Sequence, residues 1–266
     1  MPAPSTFALG AHSPKLEVVR ALRTKAGRRE QARFAVDGTT MLGEALAAGR
    51  IPEEIYATDE ALATFDTHDA RLAGRIFTVP DRAMARLSEL ETPSGLIAVY
   101  RTRIESLEEV LETGAPAIAL AGVADPGNAG TLLRTASIFG VGAAIFVVDA
   151  VEAYNPKLVR ATMGAIFRMR LATATASEIE ASAARNGYRV VAAAKEGAPL
   201  PTFTFVRRSI LAIGNERHGV ASWLPKTDEM VSIPHVGPGE SLNASVAGGI
   251  ILYAFSQQFG HTICES

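Results

Sequence analysis

The segment Asp125-Pro126-Gly127-Asn128-Ala129-Gly130-Thr131-Leu132-Leu133-Arg134-Thr135-Ala136 follows directly on the apolar run AIALAGV at residues 117–123. A short run that is apolar at every position and closed by turn residues reads as a strand buried on both faces. Pro126 and Gly127 stop it, and Asn128 is the candidate N-cap of a helix over 129–139. Arg134 then lies about two helical turns past the cap. Downstream the pattern repeats, with apolar strands at 144–148, 189–193, 210–213 and 229–233 and an apolar stretch at 166–171. Helices are expected between them at 156–163 and 177–186, and a long final helix at 241–259. Apolar strands alternating with amphipathic helices predict an α/β domain with a mostly parallel sheet over residues 117–266. Ligands of such sheets bind at the C-terminal ends of the strands, where the 125–136 loop lies. Its glycine spacing matches neither a dinucleotide fingerprint nor a phosphate loop, so at this point a structural turn is an equal reading.

Upstream, residues 13–100 read as a smaller α/β domain. A basic helix at 14–26 precedes a strand at 33–36, a helix at 41–48, a strand at 54–57, helical stretches before and after 76–79, and a strand at 95–100. The charged stretch 101–116, ending in Thr113-Gly114-Ala115-Pro116, is expected to be a linker, and residues 1–12 a flexible N-terminus. From Arg20 to Arg33 the chain carries Arg20, Arg23, Lys25, Arg28, Arg29 and Arg33 against Glu30 alone. This makes Arg20, Arg23, Arg28 and Arg29 candidate phosphate contacts, although a solvated helix face has the same pattern.

Composition removes several classes. A 48% hydrophobic content over 266 residues supports a real core, and the net charge of −2 does not by itself announce a nucleic-acid binder. Cys264 is the single cysteine, and His12, His68, His218, His235 and His261 show no helical metal spacing, so no disulfide and no metal are expected. No apolar run reaches the roughly 20 residues of a membrane span. The opening residues lack a basic start followed by an apolar stretch, so the expected location is cytoplasmic.

Two further loops follow buried strands. Ile213-Gly214-Asn215-Glu216-Arg217-His218-Gly219-Val220 offers glycines that let backbone approach a ligand, and Glu216 stands either as a hydrogen-bond acceptor in a site or as a helix-capping or ion-paired carboxylate. His218 reads as a surface or structural residue. Ile233-Pro234-His235-Val236-Gly237-Pro238-Gly239-Glu240-Ser241-Leu242-Asn243-Ala244 delivers Ser241, a candidate N-cap, into the last helix.

Taken together and in this order, the three loops resemble the three motifs of the SpoU family of RNA ribose methyltransferases, as does the stretch around Asn155-Pro156-Lys157, Arg160, Met163 and Gly164. Ala244 stands where valine is usual. The resemblance implies a SPOUT fold, whose sheet is tied in a deep trefoil knot, and S-adenosylmethionine as cofactor. The cofactor contacts would fall at Gly214, Ile233 and Leu242. Asn128, Arg134, Glu216, Ser241 and Asn243 would form the catalytic group, in a homodimer. Because a guanidinium is effectively always protonated, Arg134 is expected to clamp a phosphate and steady alkoxide charge, with phosphate or water taking the proton. The first domain, through residues 34–38 and 92–96, resembles the RNA-binding auxiliary domain of ribosomal-RNA members, similar to a small ribosomal protein. The implied substrate is ribosomal RNA, with transfer RNA or a catalytically inactive RNA-binding protein as alternatives. A nicotinamide enzyme would need a G-x-G-x-x-G after the 117–123 strand, and none is there.

Overall fold

The computed structural model describes residues 6–65, 69–237 and 241–259. His68, His261, Cys264 and residues 238–240 of the third loop lie outside the described residues. The chain divides into two compact units. One holds residues up to Thr102 together with Tyr154–Phe167, and the other holds Arg103–Ala153 and the chain from Arg168 onward.

The first unit is built on β1 (Phe7–Ala8), α1 (Pro14–Ala21), α2 (Lys25–Gln31), β2 (Arg33–Asp37), α3 (Thr39–Ala47), β3 (Glu54–Ala57), α4 (Asp59–Thr64), β4 (Ile76–Thr78), α5 (Asp81–Leu87) and β5 (Leu96–Arg101). Its sheet runs β1-β4-β3-β5-β2; the first three strands are parallel, and β5 is antiparallel to both β3 and β2. Residues 6–12, expected to be flexible, are in part tied down, because Phe7 and Ala8 pair with Phe77 and Thr78.

The single basic helix expected at 14–26 is two helices. Thr24 caps the second by accepting from the Gly27 amide at 3.1 Å, and a Cβ on Gly27 would sit 2.1 Å from the Ala21 carbonyl oxygen. The chain therefore folds back where only glycine fits. Asp37, at the end of β2, accepts from the Ser88 and Ser94 hydroxyls, both at 3.2 Å from Oδ1. Burial pushes its carboxyl above the ordinary value in spite of those bonds.

The second unit contains α6 (Leu107–Glu112), β6 (Ala117–Ala121), α7 (Pro126–Ile138) and β7 (Ala143–Val147). The chain then passes through the first unit, where α8 (Pro156–Ala161) lies. It returns as β8 (Arg170–Ala174), α9 (Ala176–Asn186), β9 (Arg189–Pro199), β10 (Ser209–Gly214), β11 (Glu229–Ser232) and α10 (Ala244–Gln258). The sheet order is β11-β9-β10-β6-β7-β8, with every pairing parallel. All five residues of β6 are fully buried, as expected for a parallel strand covered on both faces.

Two boundaries differ from the sequence expectation. The 101–116 stretch is not a bare linker: Ser106 and Glu109 form a capping box for α6, whose Leu107, Val110 and Leu111 enter the core of the second unit. Glu108 ties α6 to α9, accepting from Ser182 at 2.7 Å and from Arg185 and Asn186 at 2.8 Å. Those bonds, Arg185 first, hold its carboxyl down at about 2. The second difference is Tyr154–Phe167, expected inside the 117–266 domain. Its aromatic ends belong to the first unit's core, with the Tyr154 ring 4.3 Å from Phe34 and the Phe167 ring 5.0 Å from Tyr100. Aromatic rings at these separations add packing energy beyond the area they bury.

Candidate active site

The three loops meet at the C-terminal ends of β6 and β10 and the start of α10. At the first, α7 is capped not by Asn128 but by Asp125, whose Oδ1 accepts from the Asn128 amide at 2.7 Å. The capping duty thus falls three residues earlier, and the Asn128 side chain is free to reach across. Its Nδ2 donates to Glu216 Oε1 at 3.0 Å, and its Oδ1 accepts from Asn243 Nδ2 at 3.0 Å.

The second loop is a tight turn closed by the Gly219 amide on the Asn215 carbonyl at 2.8 Å. A Cβ on Gly214 would lie 2.3 Å from the Gly219 backbone, so the turn requires glycine there. The third loop enters α10 through Asn243 rather than Ser241. Asn243 Oδ1 accepts from the amides of Ser245 at 2.9 Å and Val246 at 3.3 Å.

Glu216 Oε1 then accepts from the Ala244 amide at 3.0 Å and from Asn243 Nδ2 at 3.5 Å, besides Asn128. Of the roles open to Glu216, it fills the capping one, placing a carboxylate at the positive end of a helix dipole. One carboxylate oxygen thereby joins all three loops.

Behind this junction lies a cavity of about 510 Å³. Gly214, Ile233 and Leu242 line it, and so do Glu216 and Ser241. Arg134 stands apart: it is exposed on α7, makes no ion pair among the described residues, and does not line the cavity. Among the described residues no group of three or more His, Cys, Asp or Glu could hold a metal, and no helix is long and apolar enough to cross a membrane.

The basic segment divides into two kinds of residue. Arg20 and Arg29 are exposed, Arg20 pairing with Glu17 at 2.7 Å. Arg23 is exposed and donates to the Arg86 carbonyl at 3.2 Å. Arg28 corrects the expectation: it is 4% exposed, and its Nη1 donates to the carbonyls of Leu22 at 2.9 Å and Arg23 at 3.0 Å. It closes the turn between α1 and α2 and is not available to an RNA phosphate. Missing from the sequence expectation is the stretch from Ala192 to Glu196, which forms one wall of the cavity. The strand was expected to end at 193, whereas β9 continues to Pro199. A Lys-Glu-Gly step directly after an apolar strand was the available signal.

A parallel α/β unit with a cavity at its strand ends, closed by polar side chains from three loops, has the arrangement of a domain that binds a small ligand. The chain belongs to the SpoU rRNA methylase family, whose model matches residues 115–253, and residues 13–98 match an MRM3-like substrate binding domain. It is 30% identical over 245 residues to the Bacillus subtilis 23S rRNA (guanosine(2553)-2'-O)-methyltransferase RlmP, covering 91% of this chain and 96% of that one. Among solved structures it is similar to the AdoMet-bound rRNA methyltransferase from Sinorhizobium meliloti, with a TM-score of 0.84, 24% identity, and 96% and 99% of the two chains covered. The SpoU methyltransferase AviRb from Streptomyces viridochromogenes, in complex with AdoMet, gives a TM-score of 0.77 at 25% identity, covering 93% of this chain and 98% of that one.

Proposed function

We propose that this protein transfers the methyl group of S-adenosylmethionine to a ribose 2'-hydroxyl of ribosomal RNA. The observation that carries the reading is the junction of Asn128, Glu216 and Asn243 on one carboxylate oxygen, beside a cavity lined by Gly214, Ile233 and Leu242. A volume of about 510 Å³ lies within the range of small-molecule sites, and the glycine turn at Gly214 lets backbone groups approach a ligand closely. The residues present therefore fit the cofactor.

S-adenosylmethionine supplies an electrophilic methyl carbon on a sulfonium. The chain's own part is alignment, since an in-line displacement gains most from holding the reacting atoms in order. Gly214, Ile233 and Leu242 hold the donor, while Asn128, Glu216 and Asn243 fix the loops that carry those residues. Ser241, exposed at the cavity wall, faces the incoming ribose. Arg134, exposed and unpaired among the described residues, clamps the neighbouring phosphate through its planar fork and steadies developing alkoxide charge, with the proton passing to phosphate or water. Arg20, Arg23 and Arg29 grip RNA from the first unit.

The trefoil knot belongs to this proposal, supported by the bond from the Ala244 amide to Glu216, which draws the loops after β10 and before α10 together. So does a homodimer. Val246, Ile250 and Tyr253 form an exposed apolar stripe at helical spacing on α10, and Ile138 on the neighbouring α7 is 70% exposed. The place of action is the cytoplasm, where the RNA substrate is found.

Ribose-methylation mapping of ribosomal and transfer RNA from a deletion strain, followed by methylation of that RNA with purified protein, tests the function. One ribosomal 2'-O-methyl mark should vanish and be restored. Loss of a transfer-RNA mark instead would move the substrate, and loss of a base methyl or of none would refute the reaction.

A further inference from the structure

The wall of the cavity formed by β9 has an unusual construction. Strand β11 advances by one residue, from Met230 to Val231, while its partner β9 advances from Ala192 to Ala198. Residues 193–197 are therefore looped out of the ladder with β11 as an irregular bulge, and bulges re-aim side chains beside active sites. The bulge is pinned where it rejoins the sheet. A Cβ on Gly197 would lie 2.5 Å from the Val231 backbone, and the Ser232 hydroxyl donates to the Gly197 carbonyl at 2.7 Å.

What the bulge presents is Lys195 beside Glu196, both exposed and both lining the cavity. Among the described residues neither makes an ion pair or a side-chain hydrogen bond. Glu216, the other carboxylate of the wall, already caps α10. The pair thus stands as an uncommitted positive and negative charge, held side by side on a pinned strand.

Adjacent opposite charges select a ligand that carries both signs. An RNA phosphate offers only negative charge, which Glu196 would repel as much as Lys195 attracts. The methionine end of S-adenosylmethionine carries an α-carboxylate and an α-ammonium on one carbon. We propose that Lys195 and Glu196 clasp this end of the cofactor, Lys195 holding the carboxylate and Glu196 the ammonium. The inference rests on the methyl-donor reading above and adds two side-chain contacts to those proposed at Gly214, Ile233 and Leu242.

Calorimetry on the full chain tests it with two ligands that share the adenosine. S-adenosylhomocysteine keeps the amino-acid end, and 5'-methylthioadenosine lacks it. Charge-assisted hydrogen bonds should make Lys195→Ala and Glu196→Gln each bind S-adenosylhomocysteine about 10-fold more weakly than the parent protein. Both variants should bind 5'-methylthioadenosine within about twofold of the parent, and Lys195→Arg should recover most of the loss. Equal weakening of both ligands would mean that the residues only shape the bulge. No weakening of either would mean a solvated rim or an RNA phosphate contact; each of these two results overturns the clasp. If the parent protein binds neither ligand, the donor reading falls and the clasp with it, an outcome distinct from the other two.

Discussion

The junction of the three loops makes a quantitative claim when Glu216 is truncated to alanine. In the structure its Oε1 accepts from Asn128, Asn243 and the Ala244 amide. The amide bond is a helix cap, and losing a cap costs about 0.5–2 kcal/mol. Glu216 is exposed, so water replaces part of what is lost and a cost of about 1 kcal/mol is expected. For a chain of this size that corresponds to a melting temperature about 2–4 °C lower. The effect on function should be far larger, because three loops lose their common anchor while the sheet beneath them is untouched. Cofactor affinity should fall by at least about 10-fold and methyl transfer should be lost. Asn128→Ala removes one arm of the same junction, so the double variant should be less destabilised than the sum of the singles, by about 0.5–1 kcal/mol. Thermal melts, calorimetry with S-adenosylhomocysteine and single-turnover methylation measure the three quantities. If Glu216→Ala kept cofactor affinity and turnover within twofold of the parent, or if the two single effects simply added, the three loops would not act as one unit and the reasoning would be wrong.

Other expectations can be tested more briefly. Arg134→Ala should abolish methyl transfer with cofactor affinity nearly unchanged, since Arg134 does not line the cavity; Arg134→Lys should fail almost as badly, and near-normal turnover in the lysine variant would rule out the forked clamp. Neutralising Arg20, Arg23 and Arg29 together should weaken RNA binding and reduce the salt-dependence slope by roughly 0.7–0.9 for each phosphate no longer neutralised, while an unchanged slope would make them a solvated face. Arg28→Ala should instead lower the melting temperature, because its buried guanidinium satisfies the Leu22 and Arg23 carbonyls. Glu108, held at about 2 by its bonds to Arg185, Ser182 and Asn186, has a folded value below its ordinary 4.5. Its contribution is therefore complete above about 4.5 and lost as the pH falls toward 2, so urea midpoints of the parent and of Glu108→Gln should converge over that window. A fragment of residues 116–266 should aggregate, since it lacks α6 and carries Tyr154, Leu158, Val159, Ile166 and Phe167 without the unit that buries them; a soluble, cooperatively melting fragment would contradict the division into units.

That fragment marks where the sequence stopped being legible. The parallel sheet could be read because buried strands are written as continuous apolar runs, and residues 117–121 carry no polar position at all. The meeting of the loops could be read in part, because three loops at strand ends hold the polar residues, and three of these, Asn128, Glu216 and Asn243, do meet. Which residue caps which helix was not legible. Asp, Asn and Ser serve almost equally as N-caps, so Asp125 and Asn128 compete for α7, and Ser241 and Asn243 for α10. Only the folded geometry shows that Asn128 is relieved of capping in order to bond Glu216.

Arg28 failed for a related reason. The turn after α1 leaves backbone carbonyls without helical partners, and a guanidinium folded back onto them looks, in sequence, like any other member of a cationic run. The 154–167 segment was hidden more deeply. Its apolar residues are spaced as any amphipathic helix spaces them, and period alone cannot say which core a helix serves. The partner that decides it, Phe34 against Tyr154, lies far away in the chain. The chain therefore crosses between its two units three times, after Thr102, after Ala153 and after Phe167. Two of those crossings fall in the stretch between β7 and β8, so Tyr154 and Phe167 pack in the first unit's core although both lie within the span that matches the methylase family.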